Sequence, residues 1–230
     1  MAGNKCKKVE TMSKYFNTNV KTALESSKNK YLLLGDADHG EKSLKSLAAA
    51  VQKGDIKPLS TYGVTTILIE GATRGQERVL ESGRYKNAID ILESGQVRVL
   101  GCEDKASNAS RDSIVNLIEN PPEDGSVNVK HETLLNQRIA DANESWIAQI
   151  KKCAPKVILC CGTSHLPFFN DRVASHSGMI RKLSEKGSCS GYAVEKANSD
   201  NSMYIPEKKE RSGKFGMVEA IGYHDDWRSI

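Results

Sequence analysis

Four short apolar runs constrain the fold of this chain more than any other feature. They are Tyr31-Leu-Leu-Leu34, Thr65-Thr-Ile-Leu-Ile69, Gln96-Val-Arg-Val-Leu100 and Lys156-Val-Ile-Leu-Cys-Cys161. Each has the length of a strand buried on most of its surface, and each stops at a glycine or a polar cluster. Helical patterns lie between them, over residues 43–53, 77–93, 110–118 and 131–153, with a further one over 179–186. The longest sets Leu134, Leu135, Ile139, Ala142, Trp146, Ile147 and Ile150 at helical spacing, so Trp146 reads as core. Residues 110–118 carry an apolar set of Ile114, Val115, Leu117 and Ile118. Alternation of this kind predicts an α/β fold with right-handed βαβ units, a mostly parallel sheet and helices on both faces. Runs at 191–194 and 217–221 could add edge strands, and residues 120–125 and 198–214 read as surface loops.

The 230 residues suit one domain, with the core motifs over residues 30–170 and residues 1–29 as a helical or flexible extension. No apolar run approaches the ~20 residues that cross a bilayer, and the N-terminal lysines precede no apolar stretch, so neither a membrane span nor a classical signal peptide is expected. A net charge of +4 on 33 basic and 29 acidic residues describes a solvated surface and no nucleic-acid footprint. Six cysteines form no C-x-x-C pair. Cys102, Cys160 and Cys161 lie in or after strand-like runs, which points to reduced thiols in a cytoplasmic setting.

Ligands of a parallel sheet bind beyond the carboxyl ends of its strands, so the residues after each run are the informative ones. They are Gly35-Asp-Ala-Asp-His-Gly40, Glu70-Gly-Ala-Thr-Arg-Gly75, Gly101-Cys-Glu-Asp104 and Gly162-Thr-Ser-His-Leu-Pro167. Two histidines and several carboxylates thus reach one edge of the sheet. Each has a plainer reading: Asp36 or Asp38 could cap the following helix, and Glu70 could pair with a nearby arginine.

These segments carry a resemblance. Leu34-Gly-Asp-Ala-Asp-His-Gly40 resembles the glycine-acid-x-x-His-Gly motif of erythromycin esterase-like proteins. Glu70, Arg138 on the long helix and Leu159-Cys-Cys-Gly-Thr-Ser-His165 follow in the order of that motif set. The chain is similar, over roughly residues 30 to 170, to the broad erythromycin esterase/ChaN-like superfamily. That group also takes in TraB/Tiki-type proteins and a Ras-cleaving domain of bacterial multifunctional toxins. The family usually has glutamate where this chain has Asp36. The chain also lacks room for the esterases' extra helical lobe, which disfavours a macrolide substrate.

Residues and resemblance together imply a hydrolase of an amide or ester bond, a bacterial effector or toxin domain among the settings that fit. A neutral imidazole is the natural general base near pH 7, so His39 or His165 would activate a water. Asp36 and Glu70 would orient the histidines as a triad carboxylate does. Arg138 would bind an anion or the developing oxyanion, or else pair with Glu70. Asp38, Glu103, Asp104 and Ser164 are read as substrate-binding residues on the same rim. The alternative is a non-catalytic ChaN-like protein that binds haem or a metal. No cofactor is expected, and a divalent metal stays open because two histidines and a carboxylate make a common open site. The substrate is read as a protein or small molecule, and delivery into a host cell is compatible with the missing signal peptide. No Gly-x-Ser-x-Gly or Walker motif occurs.

Overall fold

All four apolar runs are strands, and each differs from its expected span by a few residues at one or both ends. The computed structural model describes residues 3–75, 83–122, 126–153, 155–166, 179–184, 188–194 and 219–230. The strands are β1 (Asn29–Asp36), β2 (Val64–Thr73), β3 (Arg98–Glu103), β4 (Lys156–Gly162), β5 (Ser188–Ala193) and a two-residue β6 (Glu219–Ala220). The third begins later than its apolar run because Gln96 takes a left-handed φ of 64°, which ends the preceding turn. The helices are α1 (Gly3–Glu25), α2 (Glu41–Gln52), α3 (Lys86–Ser94), α4 (Lys105–Glu119), α5 (Val127–Ile150) and α6 (Met179–Ser184). Residues 77–82 of the expected 77–93 helix, the 198–214 segment and His176 lie outside the described residues.

Strand order is β3-β2-β4-β1-β5-β6 and every pairing is parallel, as the sequence predicts. Alternate residues face opposite sides. Leu32, Leu34, Ile67, Ile69, Ile158 and Cys160 join α1, α2 and α3 in one apolar cluster. Leu33, Leu68, Leu159 and Cys161 join α5 and α6 in the other. Within the expected N-terminal extension, Gly3–Glu25 is helical as α1, and its Phe16, Val20, Ala23 and Leu24 are built into the first cluster. The C-terminal segment folds back onto α2. There the His224 backbone N–H donates to Ser46 Oγ at 3.1 Å, and its buried ring nitrogen Nε2 lies 3.0 Å from Asp55 Oδ2. The Lys42 ammonium sits 5.4 Å from the rings of both Tyr223 and Trp227.

Register then sets the site. Asp36 at the end of β1 stands beside Gly162 at the end of β4, and Ile69 of β2 stands beside Cys160. Three strand ends therefore open on one edge, with β4 between β1 and β2.

Candidate functional site

The loop after β1 is held by its own carboxylate. Asp36 Oδ1 accepts the backbone N–H groups of Asp38 (2.7 Å) and Gly40 (3.0 Å), and Oδ2 accepts that of Ser43 (2.7 Å). Gly40 has φ 89°, and a Cβ there would lie 2.5 Å from the Cys160 carbonyl, so only glycine fits. His39 itself adopts a left-handed φ of 54°. A non-glycine residue held there is a local strain of the kind found at functional sites. Asp36 was expected to orient a histidine; its oxygens instead secure the backbone of the His39 loop and the first turn of α2. Burial raises its pKa, partly offset by the hydrogen bonds from Ser43, Gly40 and Asp38.

A bulge aims the second strand's carboxylate. Pairing of β2 with β3 shifts register between Ile69 and Thr73, and Gly71 has φ 89°. Such an irregularity re-aims side chains locally. Glu70 Oε2 accepts the Gly162 backbone N–H at 2.6 Å, and Oε1 lies 3.0 Å from His39 Nδ1 and 3.7 Å from His165 Nε2. An ionised carboxylate only accepts, so His39 Nδ1 carries the proton and Nε2 is its free nitrogen. The Glu70 bond, opposed by partial burial, raises the His39 pKa. For Glu70 itself burial works upward, but the contacts with His165 and His39 outweigh it and hold the carboxyl well below the usual range.

His165 is buried. Its Nδ1 lies 2.8 Å from Asn143 Oδ1, and its ring packs on Trp146 with centroids 4.3 Å apart. The core tryptophan is therefore also the platform for a site histidine. Arg138 donates through both guanidinium nitrogens to Glu103, through one of them to the Ser107 carbonyl at 3.0 Å, and lies 3.7 Å from Glu70 Oε1. Both sequence readings of Arg138 put its charge in the site. The structure gives its strongest pairing to Glu103 rather than Glu70, so Glu103 is tied to Arg138 on the cavity wall.

A cavity of about 730 Å³ opens over these groups, lined among others by His39, Glu70, Glu103, Arg138, Ser164 and His165. Two expected rim residues are placed elsewhere. Asp38 pairs with Lys42 at 3.6 Å. Asp104 caps α4 by accepting the Ser107 N–H at 2.9 Å, and also holds Ser145. Asn143, Arg84, Arg111 and the apolar wall of Ile114, Val115 and Leu135 were not anticipated as site residues. For Asn143 the sequence does hold a signal, a polar residue on the stripe between Ile139 and Trp146.

The buried thiols of Cys102, Cys160 and Cys161 have pKa values pushed well up by burial, which leaves no reactive thiolate. Among the described residues, no group of three or more His, Cys, Asp or Glu side chains is arranged to hold a metal. The Arg138 cation beside Glu70 Oε1 also opposes a second cation there. These donors do not fit a divalent ion. No helix among the described residues is long and apolar enough to cross a membrane.

Fold and site thus define a parallel α/β protein with two histidines on one strand-edge glutamate. No family profile and no curated protein matches the chain. Two solved structures are similar at low identity. One is the type III effector HopBA1, 14 % identical, with 90 % of this chain and 93 % of that one covered and a TM-score of 0.49. The other is ChaN of Campylobacter jejuni, described with cofacial haem binding, 12 % identical, with 80 % and 88 % covered and a TM-score of 0.49. Neither likeness identifies a family for this chain.

Proposed function

We propose that the cavity hydrolyses an ester or amide bond, with His39 as general base. The observation that carries this reading is the pair of Glu70 Oε1 and His39 Nδ1 at 3.0 Å. It fixes the tautomer and leaves Nε2 free on a side chain that lines the cavity. His39 would take a proton from water as that water attacks the carbonyl, and would return it to the departing oxygen or nitrogen as the tetrahedral intermediate collapses and the ester C–O or amide C–N bond breaks. His165, anchored by Asn143 and Trp146, would polarise the reacting group, and Arg138 would add positive charge near the developing oxyanion. Action inside a cell, as a resident enzyme or a delivered effector or toxin domain, belongs to the same proposal. It is supported by Cys102, Cys153, Cys160, Cys161 and Cys189, which are free thiols.

The test is hydrolysis of p-nitrophenyl acetate by the wild type and by His39→Ala and His165→Ala, with circular dichroism to confirm folding. Each variant is expected to lose about 10²–10⁴-fold in rate; unchanged rates in folded variants overturn the reading. Because the base form of His39 is needed and its pKa is raised, the rate should rise with pH through a midpoint above the ordinary histidine value. Glu70→Gln should move that midpoint down.

A second reading has one observation in its favour: the His39 imidazole, 68 % exposed, beside an apolar wall. Such a histidine could hold the iron of a haem, whose ring the apolar wall would contact. Haem titration followed by absorbance separates the two. A Soret shift lost in His39→Ala, with no ester turnover, favours binding over catalysis.

A further inference from the structure

Large apolar side chains left in water are concentrated in one place. Among the described residues these are Tyr15, Val115, Ile118, Val129 and Leu135, and four of the five lie on α4 and α5. Contiguous exposed apolar surface marks a binding site more often than chance. The two helices run antiparallel, since Asp104 meets Ser145 and Ser110 meets Asp141. That pairing puts Leu135 level with Val115 near the histidines, and puts Val129 with Ile118 at the far end.

The order of chemistry along this face is informative. Nearest the sheet edge stand His39, His165 and the Arg138–Glu103 pair. One turn out on α4 comes Arg111, whose near carboxylate is the exposed Asp112 at 3.6 Å. Then come Ile114, Val115 and Leu135 in the cavity wall, and last Ile118 beyond it. Arg84 faces the same cavity but is held by Glu41 at 2.8 Å. A ligand matching this order has an anionic or carbonyl head and a plain apolar tail. The wall is made of helix side chains whose backbone groups are satisfied within the helices. An extended peptide would find no ladder partner for its amides there, whereas an alkyl chain brings none to satisfy.

We infer that the cavity takes an acyl chain, its carboxyl-derived head at His39 and Arg111 and its alkyl tail along Ile114, Val115 and Leu135 toward Ile118. This names the substrate class of the proposed hydrolase and rests on that reading of the cavity, but its test is binding, not turnover. Sodium butyrate, hexanoate, octanoate and decanoate, each below its micelle concentration, are titrated into the protein by calorimetry. One-to-one binding that tightens about two- to fourfold per methylene is expected. Val115→Ser with Leu135→Ser should flatten the series. Arg111→Gln should weaken the carboxylates and leave alcohols of the same length unchanged. A flat series in the wild type, uptake at many sites, or a series indifferent to the serine variants overturns the inference. So does sedimentation showing a dimer that the serine variants dissolve, which would make the face a contact between copies. A steep series with no ester turnover defeats the hydrolase alone; turnover with a flat series defeats the acyl chain alone.

Discussion

Helix α2 and the α4–α5 pair flank the His39 loop and the β3 end of one sheet edge, and they treat their apolar residues in opposite ways. On α2, Leu44, Leu47, Ala48, Ala49 and Ala50 are all buried, and Ser43 and Ser46 go in with them. On α4 the buried residue is Ser107, while Val115 and Ile118 stay exposed. The apolar stripe of α2 lies on the sheet; that of α4 faces a cavity. At its site end the α4–α5 pair is fixed by charge, with Arg138 bridging Glu103, the Ser107 carbonyl and the neighbourhood of Glu70. Packing holds α2, whereas at the site end of the α4–α5 pair a buried ionic knot is added to the packing of Ala142, Trp146, Ile147 and Ile150 on the sheet, and Val115 and Leu135 stay exposed.

The strongest way to break that contrast is to remove the knot. Arg138→Met leaves Glu103 and Glu70, both buried, as neighbouring carboxylates without their cation. Breaking a buried pair from one side costs about 3–5 kcal/mol, which urea unfolding would read. A cost under ~1 kcal/mol would mean that apolar packing, not charge, holds α5 at the site.

A second pair of substitutions sharpens the contrast from the packing side. Leu47→Ala on α2 empties a fully buried site and should cost about 2–5 kcal/mol. Leu135→Ala on α5 removes the same atoms from a position 40 % exposed and should stay within ~0.5 kcal/mol. Equal costs in the same unfolding assay would show that the cavity wall is core after all.

This contrast also marks how far the sequence could be read. Strand ends were legible because a buried parallel strand is a continuous apolar run that stops at polar residues, and His39, Glu70 and His165 stand at those stops. The aim of Glu70 was not, since it depends on the bulge at Gly71, which no pattern of residue types announces. Asp104 followed by Ser107 is a capping spacing, and that local rule outranked its position on the rim. The stripe on α4 shows why periodicity alone falls short. It states that one face of a helix is apolar, not what covers it, so the exposure of Val115 and Ile118 was not legible. Arg84 and Arg111 are two among many surface arginines until the fold turns them toward one cavity.

A small effect is expected from the link between His39 and Glu70, and unlike the packing effects above it depends on pH. The folded pKa of His39 is raised over its ordinary value of 6.5, so its contribution to stability is complete below that value and is lost as pH rises through the folded one. Glu70 is shifted down from 4.5, so its contribution is complete above that value and is lost as pH falls through the folded one. Both act together between these two ordinary values. His39→Gln should therefore destabilise most near pH 5.5 and least near pH 8.5. With the His39 side chain 68 % exposed, solvent screening keeps the difference below about 1 kcal/mol. The cost of Leu47→Ala, which involves no titrating group, should be the same at both pH values. If His39→Gln shows the same flat profile, the imidazole is not coupled to Glu70 in solution. Its tautomer would then be unfixed, and the general base would have to be sought at His165.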